Sequence, residues 1–205
     1  FCVDGRVDPH GLHLSACFGG HGTTRRHNYV RDVVWALCAA LGKAERETGP
    51  KGVGDNRRPA DVKADGKNID VTICASCGPQ HMASSAVQPG VAAALLERNK
   101  MVLYADHIAA MHAQREDFLP AGFDTYGAPG PGGEALVKWL AKRYEDERDM
   151  NRSSAVAYVR QRISVGVQVS SIEMLSHLVR KADVDTRPEF GSRVQVADLD
   201  EVRDS

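Results

Sequence analysis

Apolar residues recur at helical spacing in the first regular stretch of the chain. They are Val30, Val33, Val34, Leu37 and Leu41. This spacing places them on one face of a helix, which we expect to begin at Thr23 or Thr24 and to end at Gly42. Upstream, residues 1–22 are rich in Gly, His and Cys and poor in periodic apolar residues, so something other than a core must hold them.

From Ile69 to Ile73 the pattern changes to an alternation of apolar and polar residues. Most residues of this segment are β-branched, which is typical of a strand. The segment before it predicts the other strand of a hairpin. Further elements predicted along the chain are a helix over 87–113, a strand over Phe118–Tyr126, a Gly/Pro loop over 127–133, and helices over 133–147 and 153–180. The order of these elements predicts an α/β sandwich built on a small mixed sheet.

These elements suggest one main domain with appendages. We expect a core over 23–130, a C-terminal helical part over 131–185 and a polar tail over 186–205. The chain begins with Phe1 and shows no targeting peptide, which indicates a fragment or a processed product. No run of about 18 apolar residues occurs, so we expect no membrane partner.

Charge and cysteine content narrow the environment of the chain. With 26 basic and 27 acidic residues, the net charge of −1 excludes a globally basic nucleic-acid binder, so any such binding must use a local patch. Basic residues do cluster in the first third of the chain, at Arg25, Arg26, Arg31, Lys51, Arg57 and Arg58. Five cysteines, an odd number at low density, argue against a disulfide framework and favour a reducing, intracellular compartment.

Two aspartates carry the clearest candidate chemistry. Asp61 and Asp70 lie nine residues apart across the predicted hairpin, and Asp70 interrupts an otherwise apolar strand. A buried carboxylate is costly unless a cation or hydrogen bonds compensate it. Mg²⁺ is commonly held by one or two carboxylates together with phosphate oxygens, so the pair predicts a metal-dependent phosphodiesterase centre. The alternative is that both are ordinary turn and strand-edge residues.

The N-terminal segment offers soft metal ligands. His13 and Cys17 have the spacing of half a zinc site, Cys2 is a candidate third ligand, and His21 or His10 a candidate fourth. The fourth ligand could also precede Phe1, and the alternative is an irregular His-rich loop.

A second Cys/His group follows the acidic strand. Cys74, Cys77 and His81 have tolerable zinc spacing, but no fourth ligand is evident, so chance proximity is the preferred interpretation. Thiol-redox chemistry at Cys74 and Cys77 is disfavoured, because no clear helix start follows the strand.

Three short motifs, in this order, resemble a known group of enzymes. Arg26-His27 on a helix, Pro59-Ala60-Asp61, and Asp70-Val71-Thr72 in a strand resemble the PD-(D/E)XK nuclease superfamily. More narrowly, the chain resembles the restriction-like endonuclease domain at the C-terminus of non-long-terminal-repeat retrotransposon polyproteins, in which a Cys/His zinc knuckle precedes the helix. The resemblance covers roughly residues 2–170.

The resemblance implies a restriction-endonuclease-like α/β/α sandwich and a set of site residues. Asp61 and Asp70 would hold Mg²⁺ (or Mn²⁺), and His27 would contact the phosphate backbone or support the acids. Thr72 stands where the superfamily has lysine, so Lys100, one helical turn before Tyr104, would supply the cation. The nucleic-acid contacts would come from Arg25, Arg26, Arg57 and Arg58. The knuckle would bind structural Zn²⁺ through Cys2, His13, Cys17 and His21.

The implied function is Mg²⁺-dependent nicking of DNA phosphodiesters within a retroelement-type polyprotein, in the nucleus. The alternative is a domesticated, catalytically inactive nuclease fold that binds DNA or RNA, or serves as a structural subunit, in a larger organellar (mitochondrial) ribonucleoprotein. Thr72 makes Lys100 the residue that decides between them. The geometric requirement is that the Lys100 amine reach the carboxylates.

Overall fold

A mixed four-stranded sheet is the centre of the described part of the chain. The computed structural model describes residues 22–48 and 58–185. Its elements are α1 (Gly22–Ala39), β1 (Ala44–Thr48), β2 (Ala60–Ala64), β3 (Lys67–Cys74), α2 (Met82–Val87), α3 (Val91–Leu103), α4 (Ala105–Ala113), β4 (Asp117–Asp124), α5 (Pro131–Arg148) and α6 (Arg152–Asp185). Within these ranges, no helix has the length and apolar character needed to cross a membrane.

The sheet combines antiparallel and parallel pairing in the order β1-β2-β3-β4. The first three strands are antiparallel, and β4 runs parallel to β3. Asp65 and Gly66 form the β2–β3 turn with φ of 49° and 72°, and this positive-φ pair matches the twist of a tight hairpin. Pro120 lies in β4 at the edge of the sheet, where a missing N–H is tolerated.

The main apolar core lies between one face of the sheet and helices α1, α5 and α6. Successive strand residues point to opposite faces, so Val62, Ile69, Val71, Ala121 and Phe123 share this face. They are buried in one cluster with α1, α5 and α6 residues that include Val30, Val34, Leu37, Leu136, Leu140, Val159 and Ile163. The apolar stripe predicted for the first helix is therefore core.

The opposite face is covered by α3 and α4. Gly122 of β4 packs against Ala93 and Glu97 of α3, and the rings of Phe118 and Tyr104 meet edge-to-face at 5.9 Å. Helices thus cover both faces of a small mixed sheet. The α/β prediction is confirmed at this level, and the carboxylate-bearing strands lie in the middle of the sheet.

The structure corrects several predicted boundaries. The helix predicted over 87–113 is divided into α3 and α4 at Tyr104, which is non-helical at φ −107°, ψ 21°, and Gly90, with φ of 78°, separates both from the shorter helix α2. Helix α5 begins at Pro131, inside the predicted loop. Strand β1 was not predicted, because its sequence, AERET, has no strong strand signal.

Several predictions fall on residues outside the described ranges. They concern residues 1–21 with the proposed zinc ligands Cys2, His13, Cys17 and His21, the basic residue Arg57, and the polar tail over 186–205. They remain predictions.

Candidate active site

Asp61 bridges the two central strands at the point where they separate. Backbone pairing of β2 with β3 runs from Ala64 and Lys67 to Val62 and Ile69. One residue further, the carboxylate of Asp61 accepts the Val71 N–H at 2.7 Å, where a backbone carbonyl would otherwise accept. Asp61 is thereby fixed beside Asp70, the residue that an extended register would place opposite it.

His27 reaches this carboxylate from helix α1. Its Nε2 lies 3.1 Å from Asp61 Oδ2, and its Nδ1 lies 3.3 Å from Asn28 Oδ1. Burial favours the neutral ring, but the Asp61 carboxylate outweighs burial and the pKa of His27 is raised above its ordinary value. Since both ring nitrogens face oxygen atoms, the protonated imidazolium can donate both hydrogen bonds.

Asp70 is the most deeply buried acid of the site, with a side chain only 4% exposed. Burial raises its pKa to about 6; the Lys100 ammonium opposes this shift, and the charge of Asp61 adds to it. Because the charges of both Lys100 and Asp61 affect the pKa of Asp70, the three groups share one electrostatic environment. A carboxylate with a pKa near 6 is poised to exchange protons or cations near neutral pH.

Lys100 approaches Asp70 from helix α3 on the far side of the sheet from the main core. Its Nζ donates to Asp70 Oδ1 at 3.1 Å and lies 3.0 Å from Oδ2. Burial lowers the pKa of Lys100, but the Asp70 carboxylate outweighs this and the pKa is raised, so the amine stays charged. The amine also lies 5.3 Å from the ring centroid of Tyr104. The geometric requirement was that Lys100 reach both carboxylates; its amine contacts Asp70 directly, and the charge of Asp61 also raises its pKa.

Glu97 supports this arrangement and was missed in the sequence. Its buried carboxylate accepts backbone N–H groups of Gly122 at 2.8 Å and of Gly132 and Gly133 at 2.9 Å. It therefore ties α3 to β4 and to the first turn of α5, whose N–H groups have no partner within the helix. Glu97 lies one turn before Lys100 and positions the helix that carries the amine.

The sequence feature that could have indicated the role of Glu97 is the glycine run that contacts it, not the glutamate itself. A Cβ on Gly132 would overlap the backbone carbonyl of Pro120 and lie 3.1 Å from Glu97 Cδ, so this close approach excludes a side chain. The run Gly130-Pro-Gly-Gly133 at a helix start offers unpaired N–H groups to an acceptor elsewhere. Sequence alone gives no way to assign that acceptor to an acid on an Ala- and Leu-rich helix.

The predicted basic residues do not lie together at one site as the two acids do. Arg25 is exposed, whereas Arg26 is only 3% exposed, and burial lowers its pKa. Arg58 is exposed and forms an ion pair with Glu47 at 3.2 Å. Arg31 pairs with the same glutamate at 2.6 Å. These four arginines therefore do not form one continuous basic surface, and the nucleic-acid contacts expected of Arg25, Arg26 and Arg58 remain a prediction.

The donor set suits a hard cation more than zinc. Among residues 22–48 and 58–185, no group of three or more His, Cys, Asp or Glu side chains is placed to hold a metal ion. Asp70 Oδ2 is buried and accepts no hydrogen bond, although the Lys100 amine lies 3.0 Å from it; the two hydrogen bonds to Asp61 both use Oδ2, which leaves Oδ1. Two carboxylate oxygens are sufficient protein ligands for Mg²⁺, which keeps waters or takes phosphate oxygens.

Comparison of the chain with protein-family models, with curated proteins and with solved structures found no match. Functional inference therefore depends on the site itself.

Proposed function

We propose that this chain is a metal-dependent DNA-nicking endonuclease of the PD-(D/E)XK type, related to the restriction-like endonuclease domains of non-long-terminal-repeat retrotransposon polyproteins. One observation carries the proposal: two acids on adjoining central strands, Asp61 and Asp70, share one site with an ammonium group, Lys100 Nζ, 3.0 Å from Asp70 Oδ2. Helices on both faces of a small mixed sheet are consistent with the restriction-endonuclease-like fold, which is part of the proposal.

Each residue has a distinct task in this mechanism. Asp61 and Asp70 would hold Mg²⁺ (or Mn²⁺), which when bound supplies an acidified water and polarises the phosphate. Lys100 neutralises Asp70 in the free protein. With substrate present, its amine is close enough to the carboxylates to donate to a phosphate oxygen and stabilise the charge that develops there.

His27 is a positioning residue in this scheme. Its Nε2 and the Val71 N–H both hold Asp61 Oδ2. The Asp61 carboxylate is therefore held in one orientation, and this also fixes the direction in which its other oxygen, Oδ1, points. The raised pKa of His27 favours its protonated form, and that form would make this end of the site attractive to a phosphate backbone.

Nicking of supercoiled plasmid with Mg²⁺ or Mn²⁺ tests the proposal. We expect Asp61→Asn and Asp70→Asn each to lower the nicking rate by at least about 100-fold, the usual effect of losing a group that stabilises transition-state charge. Asp149→Asn is the matched control, because Asp149 is exposed at φ 53°, a conformation asparagine readily adopts. Full nicking by both site variants would refute the assignment.

A second candidate function is favoured by one observation. Lys100 already compensates Asp70, and position 72 is threonine, so the site is electrically satisfied without a metal. This suits an inactive descendant that binds DNA or RNA as part of a larger, mitochondrial assembly, whereas the active enzyme would act in the nucleus. Absence of nicking by the wild type, with retained binding to labelled DNA or RNA, would select this function.

A further inference from the structure

A cavity of about 560 Å³ opens directly beside the paired acids. It lies between the first turns of α1, the end of β3 with the turns that follow, and one residue of α3. Within the described ranges, its lining includes Arg26, His27, Thr72, Gln80, His81 and Leu96. Cavities of about 300–1,000 Å³ are typical of small-molecule sites, so this one can hold a group the size of a nucleoside.

The cavity and the acids are parts of one surface. His27 lines the cavity and also contacts Asp61 at 3.1 Å. Thr72 follows Asp70 by two residues on β3, so the two side chains lie on the same face of the sheet. A phosphate held at the acids would therefore place its neighbouring nucleoside at the mouth of this cavity.

The lining has the chemistry of a nucleotide site. Its described residues include Arg26, His27 and His81 but no aspartate or glutamate. Ile73, Pro79 and Leu96 supply apolar surface for the flat faces of a base. Threonine hydroxyls and the Gln80 carboxamide can donate and accept hydrogen bonds. Apolar walls with a few polar groups and a cationic side favour an anionic, partly apolar ligand.

We propose that this cavity receives one unpaired nucleotide next to the scissile phosphate, so that the preferred substrate is DNA with an unstacked nucleotide at the cut. The inference rests on the proposed nuclease function and adds the substrate class. A base stacked within a duplex cannot enter a concave site, and its extrusion costs least where it is already unpaired. The protein should therefore favour bulged, frayed or branched DNA over continuous duplex.

Binding without cleavage tests the cavity directly. The wild-type chain, in EDTA, is titrated into two duplexes that carry one 2-aminopurine, either paired or in a single-nucleotide bulge. Among the lining residues within the described ranges, none is a Phe, Tyr or Trp that would quench the probe. We expect the bulged probe to brighten on binding and to bind about tenfold more tightly than the paired probe, in line with the contribution of one bound base.

Two variants connect this signal to the cavity. Gln80→Glu places a negative charge in the lining at an exposed position, and we expect about fivefold weaker binding of the bulged probe. Gln161→Glu is the matched control, since it makes the same change at an exposed position of α6 outside the lining. Leu96→Trp adds an indole to the wall and should quench the bound probe or exclude it.

The outcomes separate this inference from the nuclease proposal. Equal affinity for both probes, or a signal unchanged in Gln80→Glu and Leu96→Trp, would overturn the cavity assignment, and plasmid nicking would stand on its own. A bulge-specific signal in a chain that nicks no plasmid would keep the cavity as a nucleotide site and reject the nuclease.

Discussion

Replacing Asp70 by asparagine should stabilise the fold at neutral pH while it abolishes nicking. Asp70 is 4% exposed, and its pKa is about 6 in the folded chain, against an ordinary value of 3.8. A carboxyl whose pKa is raised by folding favours the folded state only while it is protonated. Its contribution is fully present below pH about 4, declines as pH rises from 4 to 6, and is absent above that range.

The magnitude follows from the two pKa values. A difference from 3.8 to about 6, at about 1.4 kcal/mol for each pH unit, corresponds to about 3 kcal/mol of folding free energy in total, of which about 2.4 kcal/mol is lost between pH 4 and pH 7. Asparagine has no such loss. The free energy of unfolding of Asp70→Asn, minus that of the wild type, should therefore increase by about 2.4 kcal/mol over this range. The Lys100 ion pair forms only as Asp70 ionises, and its attraction is already included in the pKa of about 6, so its loss in Asp70→Asn adds no separate change over this range.

Urea unfolding of both proteins at pH 4, 5, 6 and 7.5 measures this difference. Asp149→Asn is the control, and its effect should stay within about 0.5 kcal/mol at every pH, as is usual for exposed substitutions. A difference between Asp70→Asn and the wild type that stays constant from pH 4 to 7.5 would refute the reasoning. Asp70 would then titrate as an ordinary acid, and its burial would not bias the site.

Three further predictions concern the residues around this acid. Lys100→Met should lower the nicking rate by about 100-fold or more, and adding Thr72→Lys to it should restore part of that loss; no recovery in the double variant would show that a strand amine cannot replace the helix amine. Glu97→Gln should destabilise the fold by about 2–4 kcal/mol in urea unfolding, because an amide NH₂ must replace a carboxylate oxygen that faces backbone donors; unchanged stability would contradict its structural role. Purified chain should contain about one equivalent of zinc by mass spectrometry, and Cys17→Ser should lose it; equal zinc in both proteins would reject the knuckle.

The acids could be predicted from sequence because local geometry alone brings them together. A tight hairpin with Asp65-Gly66 at its turn fixes the register, and register places Asp61 near Asp70. Lys100 is 30 residues away from Asp70 in sequence, so its role depended on which face of α3 meets the sheet. Periodicity gives the face of a helix but not the element it packs on.

The exposure and pairing of the surface charges, in contrast, could not be predicted from the sequence. Arg25 and Arg26 are adjacent in sequence, yet one is exposed and the other is buried, because neighbouring helical residues point about 100° apart. Arg58 is compensated by Glu47 of β1, a strand whose polar sequence gave no strand signal. A charged edge strand is a common device against sheet-to-sheet association, and it resembles a loop when only the sequence is read.

Glu97 bears on whether a reactive lysine can work from a helix instead of from a strand of the sheet. A strand residue is fixed by its backbone ladder, whereas a helix resting on a sheet can shift by an ångström, enough to lower a rate by about 100-fold. Three backbone N–H groups from two other elements hold Glu97, so the turn that carries Lys100 is anchored almost as firmly as a strand. The glycine-rich first turn of α5, far from the acids in sequence, thereby becomes a control point for the amine. Changing that turn should alter turnover without altering any residue that touches the substrate.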